Sequence, residues 1–213
     1  MKKRIVFLDL WRGLAVIAMV IFHIFFMVNF YDFYVVDMGA GVLKWLGDFA
    51  RWSFLILVGI SFSFSSRNQL VRGGKLFLIA MLITLVTYFA VGEEYVRFGI
   101  FHLIAVAIIL GSGFRKKPLL AMILGVLIFG TSFWIRSVGV SNWWMFLLGN
   151  GGINSIDYFP IFPWLGVVFF GIGLGKVKWP AVGNIPWIEY LGKHSLVIYL
   201  IHVPVIWLVM MIV

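Results

Sequence analysis

The chain has 213 residues, 63% of them apolar and 12% charged, with 17 basic side chains against 8 acidic ones and a net charge of +9. Soluble domains carry about 25% charged residues; at a mean hydropathy of +1.07 no water-soluble fold of this size covers so much apolar sequence. Cysteine is absent, which excludes a disulfide framework, a thiol nucleophile and a thiolate metal site. What remains is an all-α, polytopic integral membrane bundle, read as a single domain over residues 1–213.

Charges divide the chain into uncharged runs at 13–31, 52–66, 76–92, 98–114, 118–135, 137–156, 158–175 and 194–213. A spanning helix needs roughly 20 apolar residues, about 17–25, and seven of these runs reach that length with their flanks. The first span opens with Asp9-Leu-Trp-Arg12-Gly13 and continues to His23. Arg12 and His23 stand eleven residues apart, about 20° from three full turns, so they share a face about 16 Å apart along the axis. Asp9 lies three residues before Arg12 and is placed to pair with it. The second span is short unless it begins near Trp45 and carries Asp48 and Arg51 in its outer end.

The fourth span enters as Arg97-Phe-Gly99-Ile-Phe-His102, at a depth similar to that of His23. Two histidines, Asp48 and Arg51 therefore belong to one outer-half layer, whose lateral convergence the sequence leaves open. The run 137–156 has an apolar core only from Trp143 to Leu148, followed by Gly149-Asn150-Gly151-Gly152, and reads as an interfacial or re-entrant piece anchored by Trp143 and Trp144. Span six opens Asp157-Tyr-Phe-Pro160-Ile-Phe-Pro163-Trp164, which predicts a distorted outer end. Gly171 and Gly175 form a small-xxx-small step suited to close packing. The seventh span carries Ser195, Tyr199 and His202 at i, i+4 and i+7, one polar stripe in an apolar helix. Ionisable groups inside spans are functional suspects by default, although interhelical hydrogen bonding accounts for such residues equally well. The four histidines are too scattered for a metal centre, and no metal is expected.

With the N-terminus in the cytoplasm, the inner flanks hold Lys2, Lys3, Arg4, Arg67, Arg72, Lys75, Arg115, Lys116, Lys117, Lys176, Lys178 and Lys193 against Asp9 and Glu189. The outer flanks hold Lys44, Arg51, Arg97 and Arg136 against Asp32, Asp37, Asp48, Glu93, Glu94 and Asp157. The positive-inside rule is obeyed at every loop. The positive charge is therefore topological rather than a nucleic-acid footprint, and it doubles as a basic rim for anionic lipid or an anionic cofactor.

The string Leu8-Asp9-Leu10-Trp11-Arg12-Gly13 with His23 at R-x10-H spacing resembles the first helix of the transmembrane acyltransferase superfamily. Phe54 to Ser61, Arg97-x-Gly99-x-x-His102, Asp157-Tyr-Phe-Pro-x-Phe-Pro-Trp164 and Gly192-Lys-His-Ser195-Leu-x-Ile-Tyr199-Leu-x-His202-x-Pro204 follow in order. The set is similar to the heparan-α-glucosaminide N-acetyltransferase catalytic-domain family. That resemblance implies acetyl or other acyl transfer from cytoplasmic acetyl-CoA (acyl-CoA) to an amine or hydroxyl, of a sugar, on the far side. His23 is then the expected general base, with His102 as partner base or orienter. Arg12, Arg67, Arg72, Lys75, Arg115, Lys116 and Lys117 are expected to hold the donor's phosphates, guanidinium being suited to bidentate phosphate binding. Ser195, Tyr199 and His202 line the thioester path, and Asn29 or Arg51 faces the oxyanion. Asp9, Asp48, Arg97 and Asp157 support these groups. A homodimer would fit the family, and a prokaryotic plasma membrane is the expected location. The competing reading is a small transporter or proton-linked channel with the histidines as relay. It lacks the mid-membrane carboxylate that such a relay wants.

Overall fold

The computed structural model describes residues 5–65, 68–137, 145–149 and 154–212. Lys2, Lys3, Arg4, Arg67, Trp143 and Trp144, all singled out in the sequence, lie outside the described residues, as does the Arg136 side chain. Among the described residues the chain is an all-α membrane bundle. Five helices are long and apolar enough to cross a membrane. They are α1 (Val6–Phe30), α2 (Gly41–Phe64), α3 (Gln69–Val91), α5 (Pro118–Ser137) and α8 (Ser195–Ile212). Two apolar helices are shorter: α4 (Ile100–Gly111) and α6 (Ile161–Leu174). The second span does begin before Asp48, as its charge-free run required.

The fourth and sixth spans are where sequence and structure differ. Their helices have 12 and 14 residues, about 18 and 21 Å at 1.5 Å per residue, against about 30 Å of hydrocarbon. Each begins later than its uncharged run because the chain ahead of it is extended, at Gly99 (φ −88°, ψ −176°) and Pro160 (φ −61°, ψ 160°). The two extended approaches pair with one another. Ile156 N–H donates to the Glu94 carbonyl and Phe159 N–H to the Phe98 carbonyl, both at 2.9 Å, and the Ser155 hydroxyl donates to the Tyr95 carbonyl at 2.9 Å. Backbone groups that no helix satisfies are thus met by protein, the condition under which irregular chain is tolerated at membrane depth. The distortion that the two prolines foretold is present: Phe162 has non-helical angles (φ −99°, ψ 128°) inside α6. Of the run 137–156, Met145–Leu148 forms one 3-10 turn, and Gly149 follows at φ +86°.

The chain divides into two compact units, Met1–Phe54 with Lys178–Val213, and Leu55–Val177, the boundary falling within α2. In the first unit α1 runs antiparallel to the start of α2. Trp11 Nε1–H donates to the Ser53 hydroxyl at 2.9 Å, and Gly47 lies against the Phe22 ring. Ala18, Met19 and Ala50 form the buried core between them, with Phe54 and Tyr199 packed on it. A short helix, α7 (Pro186–Lys193), was not foreseen. Its start carries the proline favoured in a first helical turn, and Lys193 pairs with Glu189 at 3.2 Å. It packs tightly across the start of α1: a Cβ at Gly13 would strike the Ile188 carbonyl, and one at Gly192 the Asp9 carbonyl.

In the second unit, the remainder of α2 crosses α6 at glycines. A Cβ at Gly59 would strike the Val168 carbonyl, and one at Gly171 the Ile56 carbonyl. Gly125 and Gly166 let α5 and α6 approach as closely: a Cβ at either would strike the other's carbonyl oxygen. Gly73 sets the start of α3 beside Ala105 and Ile109 at the end of α4. That crossing gathers Arg72 and Lys75 with Arg115, Lys116 and Lys117 at one end of the unit, while Glu93, Glu94 and Asp157 occupy the other.

Candidate active site

In the first unit α1 and α8 bring His23 and His202 together. Their ring centroids are 4.7 Å apart and their planes lie at 83°. Each Nδ1 sits on a carbonyl of its own helix, His23 on Met19 at 2.8 Å and His202 on Tyr199 at 2.7 Å. A carbonyl only accepts, so each Nδ1 carries the hydrogen and each Nε2 of the neutral rings is left with a bare lone pair. Tying Nδ1 to a backbone carbonyl fixes the tautomer, and it leaves Nε2 as the proton acceptor. Tyr199 extends the group, 5.4 Å from the His202 ring and 5.9 Å from that of Phe54. The polar stripe of the seventh span therefore turns its inner face to α1 and α2, and Ser195 lies on the same helix face, partly buried.

Two clusters flank this pair within the unit. Toward the start of α1, Arg12 pairs with Asp9 at 2.9 Å, as the three-residue spacing required, and the Arg12 side chain stays 22% exposed. Phe7, Trp11 and Trp179 stack beside them, with Phe7 and Trp179 parallel at 5.6 Å. Glu189 on α7 is buried at the same end. At the level of Phe22 and His23, Asp48 pairs with Arg51 at 2.9 Å and with Lys44 at 2.6 Å. Asn29 Oδ1 accepts the Val36 N–H at 2.9 Å, tying down the chain after α1.

His102 belongs to the second unit, and both of its nitrogens are engaged. Nδ1 accepts the Gly99 N–H at 3.2 Å, so Nε2 carries the hydrogen and donates to the Thr84 hydroxyl at 3.3 Å. Thr84 in turn donates to the Val96 carbonyl at 2.7 Å. The ring is buried, stacked on Phe98 and edge-on to Phe77. It thus ties the start of α4 to α3, a role the R-x-G-x-x-H spacing did not reveal because Thr84 lies on another helix. Arg97 holds the exposed Glu93 at 3.7 Å and the Tyr95 ring at 4.8 Å.

Asp157 caps α4 from outside. Its Oδ2 accepts the Ile100 N–H at 3.0 Å, and Gly99 is the residue that leaves it room, since a Cβ there would strike that oxygen. Burial raises its carboxyl from 3.8 to about 6, against the opposing pull of the Ile100 N–H. Between about pH 4 and 6 the folded chain therefore holds a proton that the unfolded chain has lost, and stability falls as pH rises through that window. The apparent Tm in detergent should drop between pH 4.5 and 6.5. Asp157→Asn, which keeps an acceptor for Ile100, should flatten that part of the profile; an identical slope in the variant would contradict the assignment.

Of the other predicted site residues, Arg72, Lys75, Arg115, Lys116 and Lys117 share one end of the second unit, Arg72 and Arg115 partly buried and the lysines exposed. Residues that sequence reasoning missed are Thr84 and Ser53, hydroxyls that lock His102 and Trp11, and buried Glu189. The two hydroxyls belong to no spaced motif, since each acts on a partner from a distant segment, whereas Glu189 pairs with Lys193 within α7. Neither the curated proteins nor the solved structures contain a match to the chain. The model of one family does match, "Heparan-alpha-glucosaminide N-acetyltransferase, catalytic", over residues 4–204. That match covers nearly the whole chain, including α1 with His23 and α8 as far as His202 and Pro204. The chain is a membrane acetyltransferase that belongs to the heparan-alpha-glucosaminide N-acetyltransferase catalytic family.

Proposed function

We propose that the protein transfers an acetyl group from acetyl-CoA, taken up on the cytoplasmic side, to an amine or hydroxyl of a sugar on the opposite side. The observation that carries this reading is the His23 imidazole. Its Nδ1–H is fixed to the Met19 carbonyl, and its Nε2 is left to accept a proton in a helix that also brings Arg12 to its basic end. His23 takes the proton from the acceptor as it attacks the thioester carbonyl, the work of a general base whose ordinary pKa lies near neutrality. Arg12 supplies charge for the donor's phosphates, and the positive-inside rule puts its end of α1 in the cytoplasm. Arg51 and Asn29 are the proposed donors to the oxyanion. His102, with both nitrogens occupied, serves as a positioning residue for the start of α4.

The test is thermal stabilisation of the purified protein by acetyl-CoA. A ligand of the folded state raises stability by RT ln(1 + [L]/Kd), so Tm should climb with acetyl-CoA concentration and level off only logarithmically. Coenzyme A should compete with it. No shift at millimolar acetyl-CoA would contradict the reading.

A further inference from the structure

His202 is a polar side chain buried on α8. It is 6% exposed; its Nδ1 is committed to the Tyr199 carbonyl at 2.7 Å, and its Nε2 is buried with no hydrogen-bond partner among the described residues. An unpaired buried acceptor is destabilising, and nothing about helix packing requires a histidine there: leucine or phenylalanine would fill the space without that penalty. The same atom is on the ring that meets His23 at 4.7 Å. The titratable side chains placed against it are His23 from α1 and Tyr199 from its own helix, while α2 contributes the Phe54 ring against Tyr199.

Acyl transfer poses a proton problem that one base does not solve neatly. The acceptor's N–H or O–H bond breaks and its N or O bonds to the acyl carbon; the C–S bond breaks with its electron pair on sulfur; the proton ends on that sulfur. The base beside the acceptor holds the proton on one side of the acyl carbon, and the thiolate departs on the other. We propose that His202 is the second proton station of the reaction: the proton taken by His23 passes to His202 Nε2, and His202 returns it to the departing thiolate. Both imidazoles finish neutral, and no other reactant is needed. The T-shaped contact fits such a pair, because two imidazolium ions this close repel and the pair holds one proton at a time. The proposal rests on the reading of His23 as base and adds a role that the thioester-path assignment of His202 did not contain.

The experiment uses the full chain in detergent with acetyl-CoA as donor and glucosamine as the acceptor probe. His202→Gln, similar in size and unable to carry a proton, should lose about 10²-fold in turnover while keeping its thermal shift with acetyl-CoA. His202→Ala should be equally slow and regain activity with added imidazole. Pyrazole has the same shape and is far less basic, and it should restore nothing. Wild-type turnover in His202→Gln, rescue by pyrazole as large as by imidazole, or no rescue by imidazole would each overturn the proposal. His23→Ala separates the two readings, since turnover persisting there removes the base itself, whatever His202 does.

Discussion

His23→Ala should abolish acetyl transfer and leave acetyl-CoA binding intact. Positioned general bases contribute about 10²–10⁴-fold, and the neighbouring imidazole does not substitute, because it is held on α8 and cannot move to the place of the His23 ring. The fold should survive the change. His23 is partly buried on α1, its side-chain hydrogen bond among the described residues is to its own helix at Met19, and alanine is the best helix former. The measurement is initial rate with acetyl-CoA and glucosamine, alongside the acetyl-CoA thermal shift. Loss of rate with an unchanged shift is the expected pair. Full turnover by the variant removes the base from the mechanism, and loss of both would assign His23 to donor binding instead.

Gly171→Val should destabilise the second unit severely. Its Cβ position is occupied by the Ile56 carbonyl, and backbone, unlike a flexible side chain, has no rotamer to retreat into. Overpacking of a well-packed interior costs about 1–3 kcal/mol or more, and a chain of this size loses about 2–4 °C of Tm per kcal/mol. Gly59→Val meets the Val168 carbonyl from the other side of the same crossing and should do the same. Gly74→Ala is the control: a Cβ there meets none of the described residues within 4 Å, and alanine is the better helix former. Thermal melting in detergent decides the matter. If Gly171→Val melts with wild type while Gly74→Ala does not, the close crossing of α2 and α6 is wrong.

Much of this architecture was legible because two constraints act along the chain. Hydrocarbon thickness sets helix length, and charged residues mark where helices leave it, so α1, α2, α3, α5 and α8 could be placed by counting. Helical phase is also local, which is why the Asp9–Arg12 pair and the shared face of Tyr199 and His202 followed from spacing alone. What was not legible depends on contacts between distant segments. The late starts of α4 and α6 follow from Glu94–Phe98 pairing with Ile156–Phe159, and no single run of residues encodes that pairing. The engagement of His102 needs Thr84 from α3. The meeting of His23 and His202 depends on how α8 packs against α1, a choice made by Ala18, Met19, Phe54 and Tyr199 together. α7 escaped notice because eight residues between a lysine-rich flank and a span are too few to show a period.

The most direct test is sided acetyl transfer in sealed proteoliposomes of purified protein. Acetyl-CoA labelled in its acetyl group is supplied on the side of the N-terminus and glucosamine on the opposite side. The account predicts labelled N-acetylglucosamine in the glucosamine compartment, dependent on His23, with free coenzyme A appearing where the donor was added. Acetyl transfer that requires both substrates in one compartment, or that proceeds equally with His23→Ala, would contradict it.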